Sequence, residues 1–306
     1  MADTFSKAVA KAISMLRTQA NLDNRLDDLQ FTQGMILAQL AASRQGKHLS
    51  DFEFRVFSQW GEDGIIQKLT RHLEIPNKAF VEFGVQDFRE SNCRFLLMHN
   101  NWRGLVIDAS ADHIASIRKS PMAWRHHLDA VCAFVDRENI NDLLMRGHLG
   151  EDIGILSVDI DGVDYWILDA IRDCSPRILI VEYNSVFGID RAITVPYDRR
   201  FHRTEKHFSN LYFGASLAAF HHLAKERGYS LIGVNSAGSN AFFVRKDQLA
   251  NCPFPALTVE EAFVTSMVRE GKDPNGKLSF LSGEDRLSAI RGLPVVNVKS
   301  GQTELL

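Results

Sequence analysis

Five short apolar segments, each followed by a helix-like stretch, constrain the fold of this chain more than any other feature. They span residues 79–83, 104–108, 130–134, 154–159 and 177–183. Apolar strands that alternate with helices form a parallel sheet whose two faces are both covered. The pattern therefore predicts an α/β fold with a Rossmann-like, doubly wound and mostly parallel sheet.

The pattern changes after the fifth segment. A helix predicted over 217–227 leads to two apolar segments, 229–234 and 241–245, which are joined by a short connection rich in serine, glycine and asparagine. Two strands joined in this way predict a hairpin, which adds an antiparallel strand to the sheet. This ending is typical of class I methyltransferases and not of dinucleotide-binding dehydrogenases.

Composition divides the chain into three predicted parts. Residues 5–42 are rich in alanine, leucine, methionine and glutamine, and Val9, Ile13 and Leu16 recur at helical spacing. We predict a helical extension over 1–50, the sheet domain over 51–250, and an appendage of helix and loop over 251–306. The N-terminal helices either pack on the core or provide a surface for a homo-oligomer.

The charge balance and the cysteines restrict the class of partner. The chain has 35 lysines and arginines against 38 acidic residues, a net charge of −3, and four scattered cysteines without zinc-ligand spacing. No signal peptide and no apolar run of about 20 residues is found. We therefore expect a cytoplasmic protein without a membrane span that acts on a small molecule or sugar and does not bind nucleic acid.

Two strand ends carry the cofactor prediction. Glu82 and Gly84 end the first strand, and the following Gln86 stands where a dinucleotide-binding loop needs another glycine. Asp108 ends the second strand, where an acid can accept hydrogen bonds from both ribose hydroxyls of a nucleoside. A carboxylate such as Glu82 suits the ammonium group of a methionine moiety. The predicted cofactor is S-adenosylmethionine (SAM), held by Glu82, Gly84, Gln86, Asp108, Ala109, Asp136 and Asp159.

Asp136 is the candidate for the adenine edge of the cofactor, although it is equally well placed to cap the helix that follows.

The predicted metal ligands lie on the next two strand ends and are Asp159, Asp161, Glu182 and Asn184. Positions two apart share one side of an extended chain, and these oxygen ligands suit Mg²⁺ or another divalent cation. The alternative is that Asp159 contacts SAM, that Asp161 and Gly162 form a turn, and that Glu182 and Asn184 bond neighbouring loops.

A loop over 197–208 mixes cations, imidazoles and aromatic rings, which is typical of a lid over a polar substrate. Either His202 or His207 could accept the proton of a substrate hydroxyl, and Asp161 is the third catalytic candidate. The alternative for each histidine is a solvated loop residue.

The region 57–247 resembles the FkbM-like SAM-dependent methyltransferases. The motifs that carry the resemblance are residues 58–64 (Ser-Gln-Trp-Gly-Glu-Asp-Gly), 81–84 (Val-Glu-Phe-Gly), 157–162 (Ser-Val-Asp-Ile-Asp-Gly), 181–184 (Val-Glu-Tyr-Asn) and 240–245 (Asn-Ala-Phe-Phe-Val-Arg). The resemblance implies a Rossmann-like fold, SAM as the methyl donor, and O-methylation of hydroxyl groups, often on sugars, as in carbohydrate biosynthesis.

Two other functions remain open at this point. An NAD-dependent sugar oxidoreductase or epimerase would need a glycine-rich pyrophosphate turn and a Tyr/Lys pair. A non-catalytic methyltransferase-like partner in a glycan-assembly complex would have degraded cofactor contacts, whereas Glu82, Gly84 and Asp108 are intact.

Overall fold

The structure, a computed structural model, describes residues 2–306; before residue 25 it describes the side chains only of residues 11, 14, 15, 18 and 22. The side chains of Val9, Ile13 and Leu16, whose spacing predicts a helix, lie outside the described ones. The backbone there forms one long helix, α1 (Ala2–Ala42).

Ten strands form two sheets among the described residues. The strands are β1 (Ala79–Phe83), β2 (Arg103–Asp108), β3 (Leu128–Cys132), β4 (Ile155–Val158), β5 (Ile178–Glu182), β6 (Ile193–Thr194), β7 (Tyr229–Val234), β8 (Asn240–Arg245), β9 (Pro294–Asn297) and β10 (Thr303–Leu305). The main sheet has the order β3-β2-β1-β4-β5-β8-β7. Strands β1 to β5 are parallel and β8 runs antiparallel to both neighbours. The predicted Rossmann-like sheet with an antiparallel hairpin strand is confirmed.

Helices cover both faces of this sheet. After α1 they are α2 (Glu62–His72), α3 (Arg94–His99), α4 (Ala111–Lys119), α5 (Pro121–Arg125), α6 (Ile140–Arg146), α7 (Asp164–Ala170), α8 (Arg203–Lys206), α9 (Leu217–Glu226), α10 (Val259–Ala262) and α11 (Glu284–Ser288). Ser110 and Ser216 cap α4 and α9 by accepting hydrogen bonds from backbone amides of the first turn. Within residues 2–306 no helix is both long and apolar enough to cross a membrane.

Alternate residues of the central strands bury their side chains on opposite faces. Val81 and Phe243 belong to one apolar core, and Phe80 and Phe242 belong to the other. Both faces of each strand are therefore buried, which explains why the strands read as continuous apolar runs. The strand order reverses between β1 and β4, and ligands of such sheets bind outside the carboxyl ends at this point.

The C-terminal segment differs from the predicted helix and loop because it also contains two strands. Strand β9 pairs with β6, and β10 pairs with β9, in a separate antiparallel sheet. Strands of three or four residues show too little alternation to be recognised from sequence.

Candidate active site

A cavity of about 680 Å³ opens at the carboxyl ends of β1, β2, β4 and β5. Its walls also include the segment around α8, the β7–β8 connection and part of the C-terminal segment. The cavity thus lies where the strand order reverses, as expected for a ligand site in this fold.

Gly84 allows the ends of β1 and β4 to approach each other closely. Its φ is +72°, and a Cβ atom at this position would collide with the backbone carbonyl oxygen of Asp159. Gln86 (φ +49°) and Phe88 (φ +64°) also have positive φ values. This backbone conformation is strained for residues other than glycine. This loop bends sharply along the cavity wall.

Asp108 is positioned by the backbone around it. Its Oδ2 accepts a hydrogen bond of 2.8 Å from the Gln86 amide, and its Oδ1 accepts one of 2.8 Å from the Ser110 amide. Its side chain is 11% exposed and lines the cavity together with Ala109. His113 Nδ1 also lies 3.3 Å from Oδ1. Because a carboxylate has about four acceptor sites, Asp108 keeps capacity for one further donor.

Glu82 belongs to the same wall and is largely buried. Its carboxylate accepts hydrogen bonds from the Ser91 hydroxyl (2.5 Å) and from the amides of Asn92 (2.7 Å) and Cys93 (3.2 Å). Burial raises the pKa of Glu82 to about 7, although these donors act in the opposite direction. Glu82 therefore fixes the segment before α3, and its predicted contact with a cofactor ammonium group stays a prediction.

Asp136 lies beside the cavity and not in its wall. Its Oδ1 accepts a hydrogen bond from the Asn139 amide just before α6, and its Oδ2 accepts one from Arg199 Nε (2.7 Å). The residues that line the cavity here are Phe134 and Val135. The carboxylate thus holds the turn that precedes α6 and does not cap the helix itself, and its predicted contact with the adenine edge stays a prediction.

Asp159, Asp161 and Glu182 come together into an acidic cluster. One carboxylate oxygen of each lies within 4.8 Å of the others. Burial and the neighbouring carboxylates raise the pKa of Asp159 and of Glu182 well above their ordinary values. The buried Oε2 of Glu182 has no hydrogen-bond partner among the described residues. This arrangement of close acidic oxygens is one that a cation stabilises.

Asp164 shapes the turn that carries the cluster. Its Oδ1 accepts a hydrogen bond from the Ile160 amide (2.7 Å) and its Oδ2 accepts one from the Gly162 amide (2.9 Å). Between these amides Asp161 adopts a φ of +55°. Asp164 thus determines which way Asp161 faces.

Asn184 remains outside the cluster. Its Nδ2 donates to the carbonyl oxygens of Leu211 (2.9 Å) and Phe213 (3.0 Å), and its Oδ1 accepts from the Val186 amide (3.0 Å). The side chain thus anchors the loop beside β5, which is the role the sequence left open as an alternative to metal binding.

The two lid histidines differ in position. His202 is exposed, lines the cavity and lies with its ring centroid 5.6 Å from that of Phe134. His207 is not part of the wall, and its Nδ1 lies 2.7 Å from the Ser209 hydroxyl. Burial lowers the pKa of His207. Of the two, only His202 faces the space in which a substrate would bind.

Sequence reasoning missed three charged residues at the acidic end of the cavity. Arg203 donates to Asp161 (2.5 Å) and to Glu270, and its guanidinium lies 3.8 Å from the centroid of the Phe213 ring. Arg286, only 7% exposed, also lines the cavity. Glu270 and Arg286 lie in the C-terminal segment, and no local sequence signal places them near β4. The four carboxylates of this end face two guanidinium groups, which leaves a formal charge of −2.

The two acids of the motif at residues 58–64 are buried and accept hydrogen bonds from the loops around them. Asp63 Oδ2 accepts four hydrogen bonds, from the amides of Val56, Phe57 and Ser58 and from the Ser58 hydroxyl.

Glu62 accepts hydrogen bonds from the Trp60 amide and from the side chains of Asn235 and Asn240. The loop held in this way places Gln59 and Trp60 in the cavity wall. This motif is part of the resemblance to a family, and its two acids hold the surrounding loops in place.

No protein-family model matches this sequence, and no curated protein matches it significantly. Among solved structures, the N-terminal domain of EvdMO1 with bound SAH is 9% identical, with a TM-score of 0.36 over 54% of this chain and 72% of that one. A SAM-dependent methyltransferase from Clostridium acetobutylicum is 12% identical, with a TM-score of 0.31 over 45% and 56%.

A putative caffeoyl-CoA O-methyltransferase from Staphylococcus aureus is 12% identical, with a TM-score of 0.35 over 55% of this chain and 75% of that one. The solved structures that resemble this chain thus include SAM-dependent methyltransferases. At these identities and scores the likeness concerns the fold and carries no argument about activity.

Proposed function

We propose that this protein is a SAM-dependent O-methyltransferase that acts on a hydroxyl group of a sugar or glycan-like small molecule with the help of a divalent cation. One observation carries the proposal. A single cavity is lined both by Gly84 and Asp108, at the carboxyl ends of β1 and β2, and by the cluster of Asp159, Asp161 and Glu182, at the carboxyl ends of β4 and β5.

Asp108 and Gly84 support the cofactor assignment. Asp108 keeps acceptor capacity for a ribose hydroxyl, and Gly84 lies in the same wall of the cavity. Gln86 and Ala109 complete this wall. When bound, SAM supplies an electrophilic methyl group on a positively charged sulfur.

The acidic cluster supports the cation. Three close carboxylates with a partnerless buried oxygen on Glu182, in a region of formal charge −2, form a hard oxygen site suited to Mg²⁺ or Mn²⁺. Asp159, Asp161 and Glu182 would hold the ion, and we leave Asn184 out because its side chain anchors backbone. When bound, such an ion lowers the pKa of a hydroxyl group that it contacts.

The remaining walls support a hydroxyl-rich acceptor. Asp161 offers carboxylate oxygens to sugar hydroxyls, and Trp60, 38% exposed, offers a ring surface to the apolar face of a sugar. His202 lines the same cavity, and we assign it the role of accepting the hydroxyl proton.

Calorimetric titration tests the cofactor. SAM and its demethylated product SAH should each bind the full-length chain, and NAD should not. If neither SAM nor SAH binds, the proposal is wrong. If NAD alone binds, the protein is instead an NAD-dependent oxidoreductase, the other enzyme class considered from the sequence.

A second assay tests the reaction. The chain is incubated with SAM and either free hexoses or nucleotide sugars, with Mg²⁺ or with EDTA, and SAH formation is measured. SAH should accumulate with a sugar and Mg²⁺ together, and EDTA should suppress it. Turnover that survives EDTA would remove the cation from the proposal and leave the methyl transfer.

A further inference from the structure

Helix α1 exposes a stripe of mostly apolar residues. Leu22, Leu26, Leu29, Ile36 and Leu40 are between 54% and 66% exposed. Together with Gln33 they recur at alternating intervals of four and three residues, and Met15, 59% exposed, continues the series one heptad before Leu22. This spacing is the heptad pattern of a helix that packs along a second helix.

The opposite side of α1 is already occupied by the chain itself. Gly34, Ala38 and Ala41 are buried, and a Cβ atom on Gly34 would meet the side chains of Val56 and Phe95. The buried series 34, 38 and 41 and the exposed series 33, 36 and 40 lie on opposite sides of the helix. The exposed stripe is therefore not the side that attaches α1 to its own domain.

The same attachment includes a partly buried ion pair. Arg94 Nη2 donates to Asp27 Oδ2 (2.5 Å), and its guanidinium lies 3.9 Å from the centroid of the Phe57 ring. Arg94 Nη1 also donates to the Arg89 carbonyl oxygen (3.2 Å), in the loop that follows β1. This ion pair and the apolar contacts hold α1 in one orientation and keep its stripe turned away from the domain.

We propose that two copies of this chain associate through this stripe as a parallel, two-stranded coiled coil. The charges favour a second copy over a lipid surface, because residues 25–42 carry one cation, Arg25, against two acids, Asp27 and Asp28. Helices that lie on membranes are rich in lysine and arginine instead.

Gln33 determines the register and the direction. It is the one polar residue among the stripe positions from Leu22 to Leu40. In a parallel, in-register pair each Gln33 faces its own copy, and a single polar pair at such a position selects two strands in one alignment. The two domains then lie on the outer sides of the paired helices.

Measuring the mass in solution tests the pairing. The native chain should have twice the 34.5 kDa of one copy by light scattering coupled to gel filtration. The double variant Leu26→Glu/Leu29→Glu should have the mass of one copy, whereas Met35→Glu, an equivalent change outside the stripe, should remain a dimer. Thermal unfolding followed by circular dichroism checks that each variant is folded.

A cysteine substitution tests the direction. Leu40→Cys should form a disulfide between copies under mild oxidation, because the same position at the end of the stripe meets its own copy only in a parallel pair. Gln39→Cys, at an exposed position outside the stripe, should give no more disulfide-linked dimer than the native chain. A single-copy mass for the native chain, a dimer that survives the double variant, or absence of the position 40 disulfide in a dimer would each overturn the proposal. Binding of the native chain to anionic vesicles that is lost in the double variant would overturn it in favour of a lipid surface.

Discussion

The backbone amide of Gln86 donates a 2.8 Å hydrogen bond to the Asp108 carboxylate, so that the loop after β1 and the end of β2 are held as one unit. Gln86 has a φ of +49° at this point. The loop is therefore held in its strained form by the same carboxylate that we assign to the ribose.

Replacement of Asp108 by alanine should weaken SAH binding by about 10- to 100-fold. The variant loses hydrogen bonds to a charged group, worth about 1.5–3 kcal/mol. Calorimetric titration measures the change, and Asp129→Ala, an exposed position on β3, serves as the control. Unchanged SAH affinity in a folded Asp108→Ala variant would contradict the assignment.

Glu182→Gln should separate chemistry from cofactor binding. The change removes one charge from the acidic cluster, so affinity for Mn²⁺ should fall about tenfold or more, and methyl transfer should be lost while SAH affinity is kept. Paramagnetic resonance of bound Mn²⁺ and SAH titration supply the two readings. Glu226→Gln, on α9, is the control, and loss of SAH binding with retained turnover would refute this division of roles.

Gly84→Ala should destabilise the protein by about 3 kcal/mol or more, because the new methyl group meets both a positive φ and the Asp159 carbonyl oxygen. Gly228 provides the matched comparison, since its φ is +82° but a Cβ atom added there would have no neighbour within 4 Å. Gly228→Ala should cost about 1–2 kcal/mol. Chemical denaturation measures both values, and equal costs would show that the approach of β1 to β4 is looser than described.

The buried carboxyl of Asp63 should make stability depend on pH. Burial raises its pKa from 3.8 to about 6, so the folded state holds the proton more tightly than the unfolded state. The contribution of this group is complete below pH 3.8 and is lost as the pH rises through about 6, a loss of about 3 kcal/mol.

Asp63→Asn tests this effect because its side-chain oxygen can keep the four hydrogen bonds without ionising. The free energy of unfolding of the native chain, relative to the variant, should fall between about pH 4 and pH 6. Urea unfolding at several pH values gives the difference. A difference that does not change with pH would mean that Asp63 does not titrate in this range.

The sequence predicted the central strands because both of their faces are buried. The apolar run of residues 79–83 coincides with β1, whereas the run of 130–134 lies two residues beyond β3, an edge strand with exposed positions such as Asp129 and Cys132. Where only part of a strand is buried, the apolar run no longer marks its limits.

The candidate site was predictable only where its residues follow a strand. Gly84, Asp108 and Glu182 come directly from strand ends, so parallel pairing brings them together. Arg203 and Glu270 meet this edge through long-range packing that no spacing encodes. Asn184 shows the other limit, since one residue type serves equally well as a ligand and as a backbone anchor.

The C-terminal wall of the cavity has a consequence for the order of events during synthesis. The sheet strands that end at Asp108 and Glu182 leave the ribosome well before Glu270 and Arg286 do. A nascent chain can therefore form the wall around Asp108 while the wall around the acidic cluster still lacks Glu270 and Arg286. A chain arrested between these two stages would have the strands of the main sheet but an incomplete cavity.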